Sequence, residues 1–343
     1  MTRLTRAQQQ ERTRAAVLAA ARAEFAEHGY AEAKVDRIAE RAELTRGAIY
    51  SNFPSKRSLY LAVLLNDTTP VDGAERRETL DLAAAAEAFA RVRLERLPLT
   101  ADEPAAGRLR ARSLTGVADD ERGRATLVQL TKLEAVLLAV ALESCGARNA
   151  RRPAELILTL LHGAAHLAET APGFGDPFDV ARACRHLTAL DLTDAGDPPH
   201  LPYVPAARPV REPWNPPGDM IDELSGRPTG FDADGILAVL GVDRLEAAEE
   251  AIRAARPHDV VTVVLATDDP DLVRLRVTDL TASLRRVFGP AIRPSLRLVL
   301  DDHGAFGTPT TQETAVRLEA GQIVARADGR GAAYAVAIAG RRG

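Results

Sequence analysis

Residues 38–56 read IAERAELTRGAIYSNFPSK, and this stretch decides the fold of the N-terminal part of the chain. Its first residues complete the i, i+3, i+4, i+7 apolar spacing of a packed helix that begins at Val35. Thr45 is suited to cap a second helix, which Pro54 prevents from continuing. The spacing therefore predicts two short helices joined by a tight connection at residues 43–44.

The second of these helices has two chemically different sides. At 100° per residue Ile49 and Phe53 fall together, and they form its predicted core side. The opposite side is small and polar and carries no acidic charge. It comprises Gly47, Ala48, Tyr50 and Ser51, with Arg46 and Asn52 at its margins. Small residues let a helix approach a groove floor, and polar side chains hydrogen-bond bases and phosphates. This side predicts contact with double-stranded DNA, although a bundle with a merely polar third helix is the alternative.

Two further helices complete a predicted four-helix head at residues 1–66. The first runs from about Thr5 to His28, where Gly29 stops it, and the fourth begins after Ser55. The head carries 11 Lys and Arg against 7 Asp and Glu, whereas the whole chain has a net charge of −4. A basic head on an acidic body indicates that only the head approaches a polyanion.

The stretch from Val17 to Leu64 resembles the TetR/AcrR family of transcriptional regulators. The residues that stand where that pattern expects them are Phe25, Gly29, Ile38, Ala39, Gly47, Tyr50, Phe53 and Lys56. Two positions depart from the pattern. Ala33 replaces the usual Thr or Ser that caps the second helix, and Glu43 replaces the usual turn glycine. A left-handed conformation at Glu43 would cost roughly 1 kcal/mol. The resemblance covers about the first fifth of the chain.

The resemblance implies a set of DNA contacts in this sequence. Base or groove contacts are implied for Arg46, Gly47, Ala48, Ser51 and Asn52. Phosphate contacts are implied for Tyr50 and Lys56, and Lys34 is a further phosphate candidate. Thr45 completes the predicted DNA-binding set. The implied function is repression by a homodimer that releases a near-palindromic operator when a small-molecule effector binds.

Residues 67–195 are predicted to form a helical domain for effector binding and dimerisation. Its predicted helices lie at 79–97, 104–117, 119–146, 153–170 and 177–192. In the family the last two such helices form the dimer interface, and the corresponding residues are Leu156, Leu160, Gly163, Ala164, Leu167, Val180, Cys184 and Leu187. The predicted effector pocket is lined by Phe89, Leu94, Leu114, Leu130, Leu137 and His162. The apolar members of this pocket are equally suited to an ordinary core.

Histidine and cysteine spacings do not predict a metal site. His162 and His166 lie four apart on one predicted helix, a spacing that suits a metal, but no third ligand is evident near them. They are better explained as histidines at an interface or a pocket wall. Cys145 and Cys184 are isolated and predict two buried, reduced thiols. No metal and no cofactor are therefore expected.

Composition predicts a soluble, cytoplasmic protein with no membrane contact. The hydrophobic fraction of 46% supports globular structure, and no apolar run reaches the length of a membrane span. No apolar signal segment follows the arginines near the start. A length of 343 residues predicts two or three domains.

A proline-rich stretch separates the helical part from a C-terminal domain of different character. Eight prolines lie between residues 197 and 218, and they predict an extended linker or strap at 196–218. Residues 219–343 are predicted to form a small α+β domain around a β-α-β unit. Its predicted elements are two short helices within 233–256, a helix at 269–288, and strands at 259–266, 295–300, 314–319, 322–327 and 332–340.

The sequence leaves the role of residues 219–343 open. Asp301, Asp302 and His303 follow a predicted strand, where catalytic or metal-binding groups often lie. A polar turn, with positive φ at Gly304, is the favoured interpretation. No phosphate loop, nucleophile elbow or dinucleotide motif is present, so a non-enzyme is expected. The hypotheses are a ligand-controlled repressor, a regulator whose C-terminal domain is a separate sensor or partner-binding module, and a fused enzyme.

Overall fold

The structure is a computed structural model that describes most of the chain. The described residues are 5–68, 80–95, 97, 114, 116–118, 120–171, 173–192, 200–289, 292–307 and 312–340. Within these ranges the chain forms a helical N-terminal half and a mixed sheet with covering helices in the C-terminal half.

Four helices form the N-terminal head. They are α1 (Arg6–Glu32), α2 (Val35–Arg41), α3 (Arg46–Asn52) and α4 (Lys56–Asn66). The predicted caps are confirmed, since the side chains of Thr45 and Ser55 accept the N–H groups of Ala48 and Ser58. Gly29 leaves the helical conformation at φ 70°, one residue after the predicted end of the first helix, and a last helical segment then reaches Glu32.

The two departures from the family pattern have structural consequences. Glu43 adopts φ 55°, so the turn keeps the left-handed conformation without a glycine, at a cost of roughly 1 kcal/mol. The helix α2 has no side-chain cap, because Lys34 stands at its N-cap position. The backbone N–H of Lys34 instead donates to Glu24 Oε1 at 3.2 Å. Glu24 is completely buried, and this long-range contact holds the start of α2 against α1.

Within the described residues, the body contains four helices. They are α5 (Leu82–Leu94), α6 (Glu121–Glu143), α7 (Arg151–Thr170) and α8 (Pro177–Leu187). Most of the predicted helix at 104–117 lies outside the described residues. In the described ranges only α6 is long and apolar enough to cross a membrane, with a mean hydropathy of 1.7 over its most apolar window. This corrects the expectation that no such run exists. Since 67% of that window is buried, α6 serves as the core helix of the body.

The C-terminal domain is built on one eight-stranded sheet. Its strands are β1 (Arg208–Pro213), β2 (Met220–Asp222), β3 (Arg227–Thr229), β4 (Gly235–Gly241), β5 (Val260–Ala266), β6 (Leu296–Asp301), β7 (Glu313–Glu319) and β8 (Gln322–Asp328). Its helices are α9 (Ala247–Ala254), α10 (Pro270–Phe288) and α11 (Ala332–Ile338), and short 3₁₀ turns lie at Leu201–Tyr203 and Val242–Arg244. The strand order is β1-β8-β7-β4-β5-β6-β2-β3.

The predicted β-α-β unit occurs twice in this sheet. The strands β4, β5 and β6 are parallel, and α9 and α10 are the crossover helices between them. The other strand pairs in the described residues are antiparallel. The C-terminal domain is therefore a mixed α/β arrangement, larger in its sheet than the sequence predicts.

Two predictions for the C-terminal part are wrong, and a stretch predicted as extended chain contains a strand. The predicted short helices within 233–256 are strand β4 followed by α9, because a central strand buried on both faces has no apolar alternation. The predicted strand at 332–340 is the alanine-rich helix α11. The predicted linker at 196–218 contains β1, which pairs with β8 at the edge of the sheet, where prolines are tolerated.

The C-terminal domain packs against the rest of the chain. The helix α10 contacts α4, α5 and α6. A continuous apolar core runs from the head through the body to the helix-covered face of the sheet. A second, smaller core lies on the opposite face, around Phe231, Val264, Val299 and Val316. The domain is thus joined to the head by direct packing as well as by the connecting chain.

Candidate nucleic-acid interface

The helix α3 presents the small polar side that its sequence predicts. Ile49 and Phe53 are 1% and 2% exposed, so they anchor α3 in the core of the head. The exposed residues are Arg46, Gly47, Tyr50 and Ser51, and the half-buried ones are Ala48 and Asn52. The accessible surface of α3 therefore consists of the residues that carry the predicted DNA contacts.

Ser51 and Asn52 are held along the helix by their own backbone. Ser51 Oγ donates to the carbonyl oxygen of Ala48 at 2.8 Å, and Asn52 Nδ2 donates to the same oxygen at 2.9 Å. Each side chain still has an oxygen that accepts hydrogen bonds. Both groups are thus fixed in orientation and retain acceptor capacity for the exocyclic amino groups of bases.

Arg46 and Tyr50 form a stacked pair at the exposed side of α3. The Arg46 guanidinium carbon lies 5.5 Å from the centre of the Tyr50 ring, and Arg46 Nη1 lies 3.4 Å from Asp36 Oδ1. A hydrogen bond with the Tyr50 side chain and the charge of Asp36 raise the pKa of Arg46. Both partners of the ion pair are exposed, so it adds little stability and leaves the cation available to an anion.

The predicted phosphate contacts lie at the starts of α2 and α4. Lys56 Nζ donates to the carbonyl oxygen of Ala31 at 2.9 Å and lies 5.0 Å from the centre of the Tyr30 ring. Burial lowers the pKa of Lys56. Its ammonium thus ties the start of α4 to the end of α1. Lys34 is exposed at the start of α2.

Thr45 has a structural task in addition to its predicted place at the interface. Its Oγ1 accepts the N–H of Ala48 at 3.2 Å, which caps α3.

Arg14, which sequence reasoning missed, lies with its guanidinium carbon 4.6 Å from the centre of the Phe53 ring. It therefore covers the end of α3 from α1. No local motif marks this contact, because the two residues lie on different helices.

Sequence reasoning also missed an ion-pair network between α1 and α2. The buried Glu24 carboxylate lies 3.6 Å from Arg37 Nη1 and 3.4 Å from Arg41 Nε. A hydrogen bond from Arg41 lowers the pKa of Glu27. Ligand atoms of Glu24, Glu27 and His28 lie within 4.8 Å of one another, as a metal would require. The guanidinium groups already neutralise these carboxylates, so the grouping is explained as an ion-pair network. A glutamate in the apolar stripe of α1 was the available signal.

Comparison with known proteins identifies the head. Residues 17–63 match the family model described as bacterial regulatory proteins, tetR family. The N-terminal head is therefore similar to the DNA-binding domain of this family. The match covers the stretch from α1 to α4, which includes the whole of α3.

A relative of the head is found among transcription regulators. The HTH-type transcriptional repressor SCO4008 of Streptomyces coelicolor is 44% identical over 54 residues, which are 16% of this chain and 28% of the relative. The chain thus matches little more than a quarter of that relative's length.

Two solved structures align with about half of the chain. A transcriptional regulator from Rhodococcus sp. RHA1 is 22% identical with a TM-score of 0.40, covering 51% of this chain and 94% of its own. NalD, the secondary repressor of the MexAB-OprM multidrug efflux pump in Pseudomonas aeruginosa, is 21% identical with a TM-score of 0.37, covering 52% and 95%.

The predicted effector-pocket residues lie in the core of the body. Phe89, Leu94, Leu130 and Leu137 are buried, whereas Leu114 is half-buried. His162 is also half-buried, and its Nε2 lies 3.7 Å from Glu134 Oε2. The apolar members are therefore core residues, as the alternative interpretation of the sequence holds, and His162 belongs to a polar cluster beside them.

A buried polar cluster lies between the body and the C-terminal domain, and sequence reasoning missed most of it. Glu134, on α6, is 2% exposed and accepts a hydrogen bond from Arg276 of α10. Arg93 of α5 pairs with Asp279 of α10 at 2.5 Å. Burial lowers the pKa of His162, which borders this cluster. A glutamate inside the apolar run of α6 was the signal that pointed to it.

The predicted dimer residues divide into exposed and buried sets. Leu156 and Leu167 are each 38% exposed on α7, and Gly163 between them is also exposed. Leu160, Ala164, Val180 and Leu187 are half-buried. Cys184 is completely buried, and burial raises its pKa to about 12. It therefore belongs to the core of the protomer, which corrects its assignment to the interface. Near α7 and α8 in the sequence, Phe174, Phe178 and Leu190 are also exposed, although the sequence did not single them out.

The Asp301 loop is a closed polar turn. The Asp301 carboxylate accepts the N–H groups of Ala305 at 2.7 Å and Phe306 at 3.0 Å. Gly304 has φ 69°, as the favoured interpretation of the sequence requires. Asp302 pairs with Arg274, and His303 points into solvent beside it. Among the described residues, the buried Asp301 carboxylate thus serves its own loop, as a polar turn requires.

Proposed function

We propose that this protein is a DNA-binding transcriptional repressor that acts as a homodimer. The observation that carries the proposal is the TetR-family head with an exposed, small and polar side on α3. An α-helix fits the major groove of B-DNA, and small residues allow its backbone to come close to the bases. Gly47 and Ala48 supply that close approach, whereas Ser51 and Asn52 supply groups that distinguish bases.

The remaining head residues orient the protein on the phosphate backbone. Arg46, Tyr50 and Lys34 are exposed around α3, and Lys56 begins α4. Contacts of this type add affinity for every sequence and make binding depend on salt concentration. They complement the base contacts, because they fix the register of the recognition helix.

Dimerisation is proposed to use the exposed apolar side of α7 together with α8. Leu156, Gly163 and Leu167 lie along α7, and Phe178 is 60% exposed on α8. Exposed large apolar side chains that cluster on one part of a protein favour association. A two-fold arrangement would present two α3 helices to successive turns of a near-palindromic operator.

A small-molecule effector is proposed to act on the body of this cytoplasmic regulator. The polar cluster around Glu134 supports this part of the proposal, because Glu134 Oε2 and Arg276 Nε are buried and have no hydrogen-bond partner among the described residues. A ligand with one donor and one acceptor would satisfy both groups, and unsatisfied buried polar groups cost about 1–3 kcal/mol each. Binding there would weaken operator affinity by favouring another arrangement of the heads.

A groove on the C-terminal domain supports the second candidate, a separate sensor module. It has a volume of about 570 Å³ and lies between α11 and the strands β1, β7 and β8. Its charged lining residues are Arg256, Arg317 and Glu319, which pair with one another or with Asp259. The rest of the lining is small and apolar, so the groove suits an uncharged apolar ligand.

The experiment begins with a duplex that the wild-type protein selects from random sequence. Alanine at Ser51 or Asn52 is expected to change which bases are preferred at particular positions of that duplex. Alanine at Tyr50 or Lys56 is expected to weaken binding to all sequences, and Lys56→Ala should also reduce the salt slope by about one. Unchanged affinity and unchanged preference in all four variants would refute DNA binding by this surface.

A further inference from the structure

Residues at the start of α4 form hydrogen bonds with residues at the start of α10. Arg57 Nη1 and Nη2 donate to the two carboxylate oxygens of Asp269 at 2.9 and 2.6 Å. Arg57 Nε donates to the carbonyl oxygen of Val117 at 2.9 Å. Ser58 Oγ donates to Asp271 Oδ2 at 2.6 Å. The head, the body and the C-terminal domain therefore meet at one side chain of the head.

The Arg57–Asp269 pair has the geometry of a strong contact. It is bidentate, and its side chains are 30% and 23% exposed, so solvent screens it only in part. The hydrogen bond with Asp269 raises the pKa of Arg57. A planar guanidinium that makes three directed hydrogen bonds fixes orientation as well as distance.

The helix α4 is packed on two sides, by α1 and by α10. Its buried residues are Leu59, Tyr60, Leu61, Val63 and Leu64. A packed core deforms little, so a rotation of α4 relative to α10 would require both the apolar contact and the ion pair to change. We therefore expect α4 and α10 to move together.

The helix α10 is in turn fixed to the body. Arg93 of α5 pairs with Asp279 of α10, Arg276 of α10 pairs with Glu134 of α6, and Arg122 pairs with Asp268. These contacts join α10 to helices that precede it by more than a hundred residues. The C-terminal domain thus connects the head to α5 and α6, the helices against which α7 and α8, proposed for dimerisation, pack.

We infer that the C-terminal domain fixes the orientation of the DNA-binding head, and that Arg57 and Asp269 are positioning residues that set the accepted half-site spacing. The inference rests on the proposed function as a dimeric DNA-binding protein. Only residues 53–55 separate α3 from α4, so a rotation of α4 also moves α3. Two heads held rigidly accept one spacing, whereas two loosely held heads accept several.

The spacing is measured with variants of the selected duplex. Its half-sites are kept, and one or two base pairs are inserted or removed between them. The wild-type protein is expected to prefer its selected spacing by at least about tenfold. Asp269→Asn should reduce this preference to within about threefold and leave the base preference inside each half-site unchanged.

Two matched variants separate positioning from general destabilisation. The charge swap R57D/D269R restores a pair of opposite charges and should recover part of the spacing preference. Glu212→Gln breaks the Arg326–Glu212 pair, which joins β1 to β8 at 3.1 Å and has a similarly exposed arginine, and should leave the preference as in the wild type. Equal loss of preference in Glu212→Gln and Asp269→Asn would overturn the inference.

Amide hydrogen exchange of the full chain tests, without DNA, whether the Arg57–Asp269 pair holds α4 in place. Asp269→Asn should speed exchange in α4, and Glu212→Gln should not. In Asp269→Asn, unchanged exchange in α4, or faster exchange with an unchanged spacing preference, would overturn the inference. The proposed function would not be affected by either result. A wild-type protein that selects no duplex would overturn the proposed function, and with it the inference that depends on it.

Discussion

The head and the C-terminal domain use their polar residues in opposite directions. In the head, the side of α3 that is free of core contacts is polar and points outwards. In the C-terminal domain, Asp301 serves its own loop, Asp269 and Asp271 hold the head, and Asp279 holds the body. Polar residues near strand and helix ends can therefore hold parts of the molecule together as well as bind a ligand or catalyse a reaction.

The largest expected effect tests whether the C-terminal domain depends on inward-directed charges. Arg317 is 4% exposed and donates to both oxygens of the buried Asp259 carboxylate at 3.1 and 2.7 Å. Arg317→Met would leave that carboxylate buried without its cation. The free energy of unfolding should fall by about 3–5 kcal/mol. Chemical denaturation measures it, and a loss below about 1 kcal/mol would contradict this view of the domain.

The second prediction concerns the outward-directed surface of the head. A Cβ at Gly47 would have Thr45 Oγ1 as its nearest neighbour, at 3.8 Å, so a larger side chain fits the folded protein. Gly47→Leu should therefore leave the melting temperature unchanged and weaken binding to the selected duplex by about a hundredfold, because the side chain keeps α3 from the groove. Val128→Leu, at an exposed position of α6, is the control. Normal affinity of Gly47→Leu would show that α3 does not approach the bases.

A third prediction distinguishes a structural role of the Asp301 loop from a catalytic one. Asp301→Ala removes the acceptor of two backbone N–H groups and should lower the free energy of unfolding by about 1–3 kcal/mol. The affinity for DNA, measured well below the melting temperature, should stay within about twofold of the wild type. His303→Ala should change neither quantity, since its side chain is exposed. A catalytic role would instead require both variants to lose the same activity.

The smallest expected effect concerns the pH dependence of stability at His162. Burial lowers the pKa of this histidine below its ordinary value of 6.5, so the unfolded chain binds its proton more tightly than the folded protein does. The stability that neutral His162 contributes is complete above pH 6.5 and is lost as the pH falls below it. Between about pH 7.5 and about pH 5.5, the melting temperature should therefore fall roughly 1–2 °C further in the wild type than in His162→Gln. His166→Gln, on the exposed side of the same helix, is the control.

The structure of the head could be predicted because its signals are local. The hydroxyls of Thr45 and Ser55 cap helices that begin at the next residue, and the side of α3 follows from its helical period alone. The body was predictable only in outline. Helix positions could be estimated from apolar spacing, but the burial of Cys184 depends on which helices pack against α8.

The C-terminal domain and its contacts could be predicted much less well. The strand β4 has buried residues on both faces, so its apolar run carries no period that separates a strand from a helix. The Arg57–Asp269 pair joins residues 212 positions apart, and no spacing rule reaches across such a distance. The contact between the C-terminal domain and the head is therefore a property of the tertiary structure that single-sequence patterns do not contain.

The two outermost strands of the sheet have a consequence for the behaviour of many copies in solution. The strand β1 contains Pro209 and Pro213 with an irregular register between them, and β3 contains Pro228. Each proline removes a backbone donor from an edge that would otherwise recruit another chain. The sheet is thereby protected from growing into a fibre, which leaves the surfaces of the helices for the proposed dimer.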